Sequence, residues 1–335
     1  MTTDPIAPVQ PNSGLDRWLV SLLADPRDLA FAHLISQCLL WITLAVAIFV
    51  VPNGWMAAPL YWAGWGLLLE DRFILMLHCT SHRGLFKDRR LNQLIPWVLC
   101  PFFGQTPESY YAHHMGMHHP ENNLHTDLST TMRYRRDSIV AWGTYFFRFL
   151  FGGLLELGLY HLRKGNRRLF QRLLMGEGGF WLAMVGLAWW NWQATLVVFV
   201  LPVLVVRALM MAGNWGQHAF VDAADPSNPY LNSITCINTR YNRRCFNDGY
   251  HILHHLRPRT HYTEYAAEFD QNRDEYGKQD AIVFEGIDFF QVWLYLMLGR
   301  HDWLAKAMVQ LPGAPTRSEA ERLALFAKRL APIPG

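Results

Sequence analysis

The chain has 335 residues, 51% of them hydrophobic, 14% aromatic and only 17% charged, with 14 tryptophans. Soluble domains carry about 25% charged residues, so the composition excludes an ordinary soluble domain and points to one membrane-embedded unit. A net charge of +3 is too small for a nucleic-acid binder, and five cysteines without a CxxC pair (Cys38, Cys79, Cys100, Cys236, Cys245) read as reduced thiols facing a cytoplasm, not as a secreted disulfide framework.

In chain order, the first residues are polar, lack a basic segment and carry Pro5, Pro8 and Pro11. They are expected to fray, as is the end with Pro332 and Pro334, and no cleavable signal peptide is read there. A spanning helix needs about 20 apolar residues to cross roughly 30 Å of hydrocarbon. Residues 33–51 meet this and stop at Pro52-Asn53-Gly54, a strong turn signal. A second run, 55–77, carries Glu70, Asp71 and Arg72 near its end, where they belong at the interface or toward a site. Residues 96–104 are too few to cross. Residues 139–160 are long enough but interrupted by Arg148 and Glu156, so they are expected to lie at the interface. The third and fourth runs, 178–190 and 194–212, flank Asn191-Trp192-Gln193, and 287–298 suits the membrane surface or a cap over the core.

The two short connections, 52–54 and 191–193, contain no Lys or Arg, whereas basic residues crowd the remaining segments. The positive-inside rule then puts those segments and both termini in the cytoplasm. The predicted fold class is an all-α integral membrane protein, with four transmembrane helices in two hairpins beneath a cytoplasmic, histidine-rich di-metal cap. Residues 1–30 are read as a cytoplasmic N-terminal segment, 31–300 as the membrane domain and 301–335 as a C-terminal cytoplasmic tail.

Nine histidines fall at three stations and one outpost: His78 and His82 (HCTSH); His114, His118 and His119 (HMGMHH); His218 (NWGQH); His251, His254 and His255 (HILHH). Neutral imidazole ligates iron, zinc and copper, and one ion rarely takes more than four, so the set points to two ions. On a helix, positions i and i+4 share a face, which aligns His78 with His82 and confines His251, His254 and His255 to an arc of about 100°. The middle station spreads over about 140° on a regular helix, an arc that is still usable and that a local helix irregularity or a frayed turn would ease. Either His113 or His114 serves as its inner ligand. His33, His161 and His301 read as core or interfacial residues. Asp248 is the first candidate to orient an imidazole by accepting its second N–H, followed by Glu108, Glu121, Asp127 and Asp222. The Glu-x-x-His pairs of soluble di-iron bundles, HExxH, GxSxG and the glycine-rich nucleotide motifs are absent.

This pattern resembles the membrane fatty acid desaturase and hydroxylase superfamily over about residues 30–265. The likeness rests on HxxxH, HxxxHH and HxxHH in order, on Asn214-Trp215-Gly216-Gln217-His218 as an NxxxH element, and on Asn247-Asp248-Gly249-Tyr250 as an acidic-Gly-aromatic lead-in. The resemblance implies two iron ions held by the nine histidines, a water-linked Asn214, O2 as co-substrate, and abstraction of hydrogen from an unactivated C–H bond of a fatty acyl chain. Desaturation is the leading outcome. The HxxxHH spacing departs from the HxxHH of many acyl desaturases and keeps a hydroxylase or a terminal-alkene-forming decarboxylase as alternatives. A metal transporter or sensor is the remote one. No cytochrome b5-like HPGG segment is present, so electrons are expected from a separate protein (a ferredoxin, a rubredoxin or cytochrome b5). Positive-inside topology alone explains most of the basic face that includes Arg133, Arg135, Arg136, Arg243 and Arg244; the alternatives are docking of that donor or binding of an acyl headgroup or anionic lipid. The expected location is a bacterial inner membrane with the site on the cytoplasmic side.

Overall fold

Long apolar runs broken at Pro52-Asn53-Gly54 and at Asn191 fold as helical hairpins in the computed structural model, which describes residues 1–335. The chain divides into two units. One comprises residues 7–116 and 158–208, the other residues 1–6, 117–157 and 209–335.

The first of these holds the hairpins. The helix Leu29–Val50 ends at Val51, and Asn53 takes a left-handed φ of 55° that reverses the chain. Gly54 permits the tight return, since a Cβ there would lie 2.7 Å from the Ile48 carbonyl oxygen. The return leg is segmented into the turn Gly54–Ala57, the helix Ala58–Gly64, a π turn Trp65–Leu69 and the helix Glu70–His82. The uninterrupted run expected over 55–77 is therefore broken, because the π turn inserts wider winding between the two helices. Twenty residues separate Trp41 from Tyr61, about 30 Å along a straight helix, yet their ring centroids are 5.6 Å apart. The two legs are antiparallel.

The same reasoning locates the second hairpin. Phe180 and Phe199 would stand about 28 Å apart on a straight helix, but their rings are 6.5 Å apart. The reversal is at Asn191, whose φ of −151° and ψ of 89° are non-helical. The first leg starts at Arg167, well before the expected residue 178. Glu177, just before that residue, is buried and satisfied. It accepts from Arg207 at 2.8 Å, from the Trp181 indole at 2.9 Å and from the Thr106 hydroxyl. The hairpins meet through Ala45, Ile48, Tyr61, Phe180, Met184 and Val197–Phe199. In a bilayer such contacts replace lipid rather than water, so close packing and not apolar transfer holds the hairpins together. Two stretches, Pro26–Val50 and Arg167–Gln217, are long and apolar enough to cross a membrane. Leu40, Leu182 and Trp189 on them stay 67%, 75% and 93% exposed, an apolar surface that suits lipid better than water.

The second unit is built around Phe220, Ile234, Phe284, Phe289, Val292, Leu296 and Phe326. Phe289–Met297 is helical and turns Phe289, Val292 and Leu296 into this core. The all-α expectation needs one correction: Thr235–Ile237 and Val283–Glu285 form a short parallel pair, Thr235 opposite Val283. The helix Ile139–Arg163 is not among the stretches apolar enough to span. Its Arg148 and Glu156 pair at 3.2 Å.

Both ends carry residues that the fold holds. Asp4 is buried among hydrogen-bond donors, and the Ile333 amide donates to the Met132 carbonyl at 2.8 Å. The helix Glu319–Arg329 sends Phe326 into the core. Arg136, expected on an exposed basic face, is instead fully buried. Its guanidinium donates to the carbonyls of Ala219, Arg329 and Ala331 at 2.7 Å each, and so ties the C-terminal end down where carbonyls would otherwise lack partners.

A Cβ on Gly176 would lie 1.9 Å from the Pro107 carbonyl oxygen, whereas one on Gly178 meets nothing within 4 Å. Gly176→Ala is expected to cost at least about 1–3 kcal/mol by overpacking and Gly178→Ala nothing comparable. Thermal melts in detergent check the contrast, and equal melting temperatures would contradict the packing described.

Candidate metal centre

In the unit of the hairpins, the helix Glu70–His82 sets His78 and His82 on one face. Residues His114–His118 wind as a π turn, the first of the two departures, a helix irregularity or a frayed turn, that the spacing of the middle station suggested. Gly116 lies within this turn, where a Cβ would approach His161 to 2.8 Å and Leu169 to 2.7 Å. Three rings gather in this unit. His114 lies 4.6 Å from His78 and 5.0 Å from His82 between centroids, and the Nε2 atoms of His82 and His114 are 2.9 Å apart. Of the doublet, His114 makes these contacts.

In the other unit, His118, His218, His251 and His255 each turn a ring nitrogen inward, and these four atoms lie within 4.8 Å of one another. His251 Nε2 is 3.2 Å from His218 Nε2 and 3.1 Å from His255 Nε2. His119 and His254 pair separately, Nε2 to Nε2, at 3.0 Å. Imidazole nitrogens about 2.0–2.1 Å from an ion, at right angles to each other, stand about 3 Å apart. The observed separations fit a shared cation, and the donor set is the neutral nitrogen kind that iron, zinc or copper accepts.

The outer nitrogens determine which way the lone pairs face. His118 Nδ1 donates to Asp127 Oδ2 at 2.7 Å, leaving Nε2 as the ligand atom. Asp127 is fully buried and also accepts from the Ser129 amide and hydroxyl (2.7 and 2.6 Å) and from the Asn123 amide at 2.9 Å. His218 Nδ1 donates to the carbonyl and side-chain oxygens of Asn232, both at 3.0 Å. These tautomers are assigned from partners. Burial, reinforced by neighbouring His118, holds His218 down to about 4, and burial among the other imidazoles pushes His255 well below its ordinary value. Both are neutral at pH 7 and ready to ligate.

The acids sort by contact. Asp248 accepts from the Tyr241 hydroxyl at 3.0 Å. Glu108 accepts from Trp97 and pairs with Arg172 at 2.7 Å, Glu121 accepts from Thr126, and Asp222 pairs with Arg329 at 3.3 Å. Asp127, ranked behind Asp248 in the sequence, is the acid on His118. Asn214 donates to the Ser129 carbonyl at 3.0 Å and to the Tyr145 hydroxyl at 2.7 Å, so it supports the residue that holds Asp127. Asn232, Ser129 and Asn123 were not singled out from sequence, because no spacing connects them to a box. His33 pairs with Asp16 at 2.7 Å, His161 is buried and donates to the Ala112 carbonyl at 3.0 Å, and His301 lies 3.6 Å from Asp137, in keeping with core or interfacial roles.

The fatty acid desaturase family model matches residues 53–286. No curated protein and no solved structure matches the chain.

Asp127→Ala should weaken metal binding about 10–100-fold, measured by competition with a chromophoric chelator; unchanged affinity would remove Asp127 from the site. The metal-free protein should also be acid-sensitive. The unfolded His218 takes a proton near 6.5, the folded one only at about 4, so acid favours the unfolded state between those values. The loss is about 1.4 kcal/mol per pH unit for this group. Melting temperatures of metal-free protein should fall from pH 6.5 to 4.5 and less so in His218→Gln.

Proposed function

Because the chain belongs to the fatty acid desaturase family, which its match over residues 53–286 establishes, we propose that it is a membrane di-iron, O2-dependent oxidase of fatty acyl chains, and specifically a desaturase. The observation that carries this reading is the group His118, His218, His251 and His255, three buried and one half-buried, whose ring nitrogens converge. They would hold one iron. The remaining box histidines, His78, His82, His114, His119 and His254, complete the nine that the resemblance gives to the two irons.

When bound, the iron pair supplies the oxidising power to take hydrogen from an unactivated C–H bond using O2. The overall balance is one –CH2–CH2– unit, O2, two electrons and two protons, giving one cis or trans alkene and two waters. The residues of this chain hold the ligands neutral and oriented. Asp127 and Asn232 keep the His118 and His218 lone pairs inward, Asn214 supports that network through Ser129, and Asp248 and Tyr241 brace the lead-in to the third box. An acyl lipid reaches the site from the membrane, in four spans arranged as the two hairpins. The electron donor is a separate protein, for which Arg133, Arg135, Arg243 and Arg244 remain as basic candidates. We place the protein in a bacterial inner membrane with the site facing the cytoplasm. The HxxxHH spacing supports a second reading, a hydroxylase or a terminal-alkene-forming decarboxylase on the same framework.

Iron-loaded protein given a reductant, an electron-transfer protein, O2 and acyl substrates should produce a new double bond, detected by mass spectrometry. A hydroxylated chain or an alkene one carbon shorter would favour the second reading, and absence of O2 consumption with every acyl substrate would sink both. His251→Ala should lose iron and product together, by about 100-fold or more in turnover, while His33→Ala keeps both.

A further inference from the structure

The third histidine box starts from an irregular loop. Phe246 and Asn247 both have left-handed backbones, with φ of 53° and 55°, and Tyr250 is the residue from which the helix His251–Leu256 departs. A few backbone hydrogen bonds hold the loop, among them Cys236 N–H to the Gly249 carbonyl at 2.8 Å, and side chains add the rest. Gly249 is packed so closely that a Cβ would lie 2.3 Å from the Cys236 carbonyl oxygen and 2.4 Å from Asn242 Oδ1. The Gly249 amide donates to Asn242 Oδ1 at 2.9 Å, and the Asn242 amide nitrogen donates to the Cys236 carbonyl, also at 2.9 Å.

This brace is completed from the other end of the chain. Asp4 is 5% exposed, and its Oδ2 accepts from the Tyr250 hydroxyl at 2.7 Å, from Asn242 Nδ2 at 2.8 Å and from the Asn238 amide at 2.8 Å. The next carbonyl, of Pro5, accepts from Asn247 Nδ2 at 2.6 Å. Thr2 donates from its amide to Asp270 at 2.9 Å, and Thr3 donates from its amide to Asn238 at 2.6 Å. One carboxylate oxygen thus joins both ends of the loop, Asn238 and Tyr250, and the charge of a buried carboxylate strengthens each of its hydrogen bonds.

We propose that residues 2–5 form a strap that sets the third histidine box, with Asp4 as the positioning residue for His251, His254 and His255. It acts through Tyr250 and Asn242 and touches no ligand itself. As far as it concerns metal, the proposal rests on the metal-centre reading above, so the test has one readout that needs no metal.

Amide hydrogen exchange is measured on metal-free protein, and cobalt(II) release and its visible absorption are measured on loaded protein, for wild type, Asp4→Ala, Asp4→Asn and Tyr250→Phe. Asp4→Ala should speed exchange of residues 247–256 about tenfold, leave the helix Leu29–Val50 unchanged, speed cobalt release about tenfold and alter the cobalt spectrum. Asp4→Asn, which keeps an acceptor oxygen, should recover most of the protection. Tyr250→Phe should reproduce part of the loss and add little to Asp4→Ala in the double variant. Wild-type exchange and release in Asp4→Ala would overturn the strap, as would acceleration spread evenly over the whole chain. A wild-type protein that takes up no cobalt would sink the metal reading alone, and the exchange data would still decide the strap.

Discussion

A cation shared by four imidazoles needs a lone pair from each inward nitrogen, so each ligating ring must be neutral with its proton on the outer side. That requirement accounts for the polar residues around His118 and His218. Asp127 fixes His118, Asn232 fixes His218, and Ser129 and Asn123 complete the hydrogen bonds of the carboxylate. An unsatisfied member of such a buried network costs more than an apolar residue in its place, so the acceptors are as much a part of the site as the ligands.

The hairpins obey the same rule under harsher conditions. A carboxylate in an apolar helix is expensive unless it is paired. Glu177 meets an arginine, an indole N–H and a hydroxyl from three different segments of its unit. Its partners couple the two legs of the second hairpin to the segment that precedes the middle histidine station. What reads as a break in an apolar run is therefore a polar tie between helices.

What the sequence displayed and what it concealed differ by range. The boxes were legible because helical spacing is local, and the hairpin reversals were legible because Pro52-Asn53-Gly54 and Asn191 are local turn chemistry. That a local irregularity would ease the middle station followed from the arc of its three histidines, and the π turn at His114–His118 supplies one. Partners at longer range carried no such mark. Asp127 lies 9 residues from His118, Asn232 lies 14 from His218, and Asp4 lies 246 from Tyr250. Proline-rich ends look loose in one dimension, but buried Arg136 and the loop before the third box provide partners that only the fold creates. Arg136 itself was counted as a surface charge because nothing in its neighbours reveals that three carbonyls remote in sequence, beside three local ones, converge on it.

The π turn also bears on how histidine spacing is to be interpreted. Winding with an i to i+5 bond stores one residue more than an α-helical turn between the same two ends. An HxxxHH element wound this way and an HxxHH element wound as regular α-helix can present three rings in the same order along an axis. The extra residue is then an insertion absorbed by the backbone, with Gly116 free of the side chain that would strike His161. Box spacing in such chains therefore reports helix winding as well as any difference in chemistry.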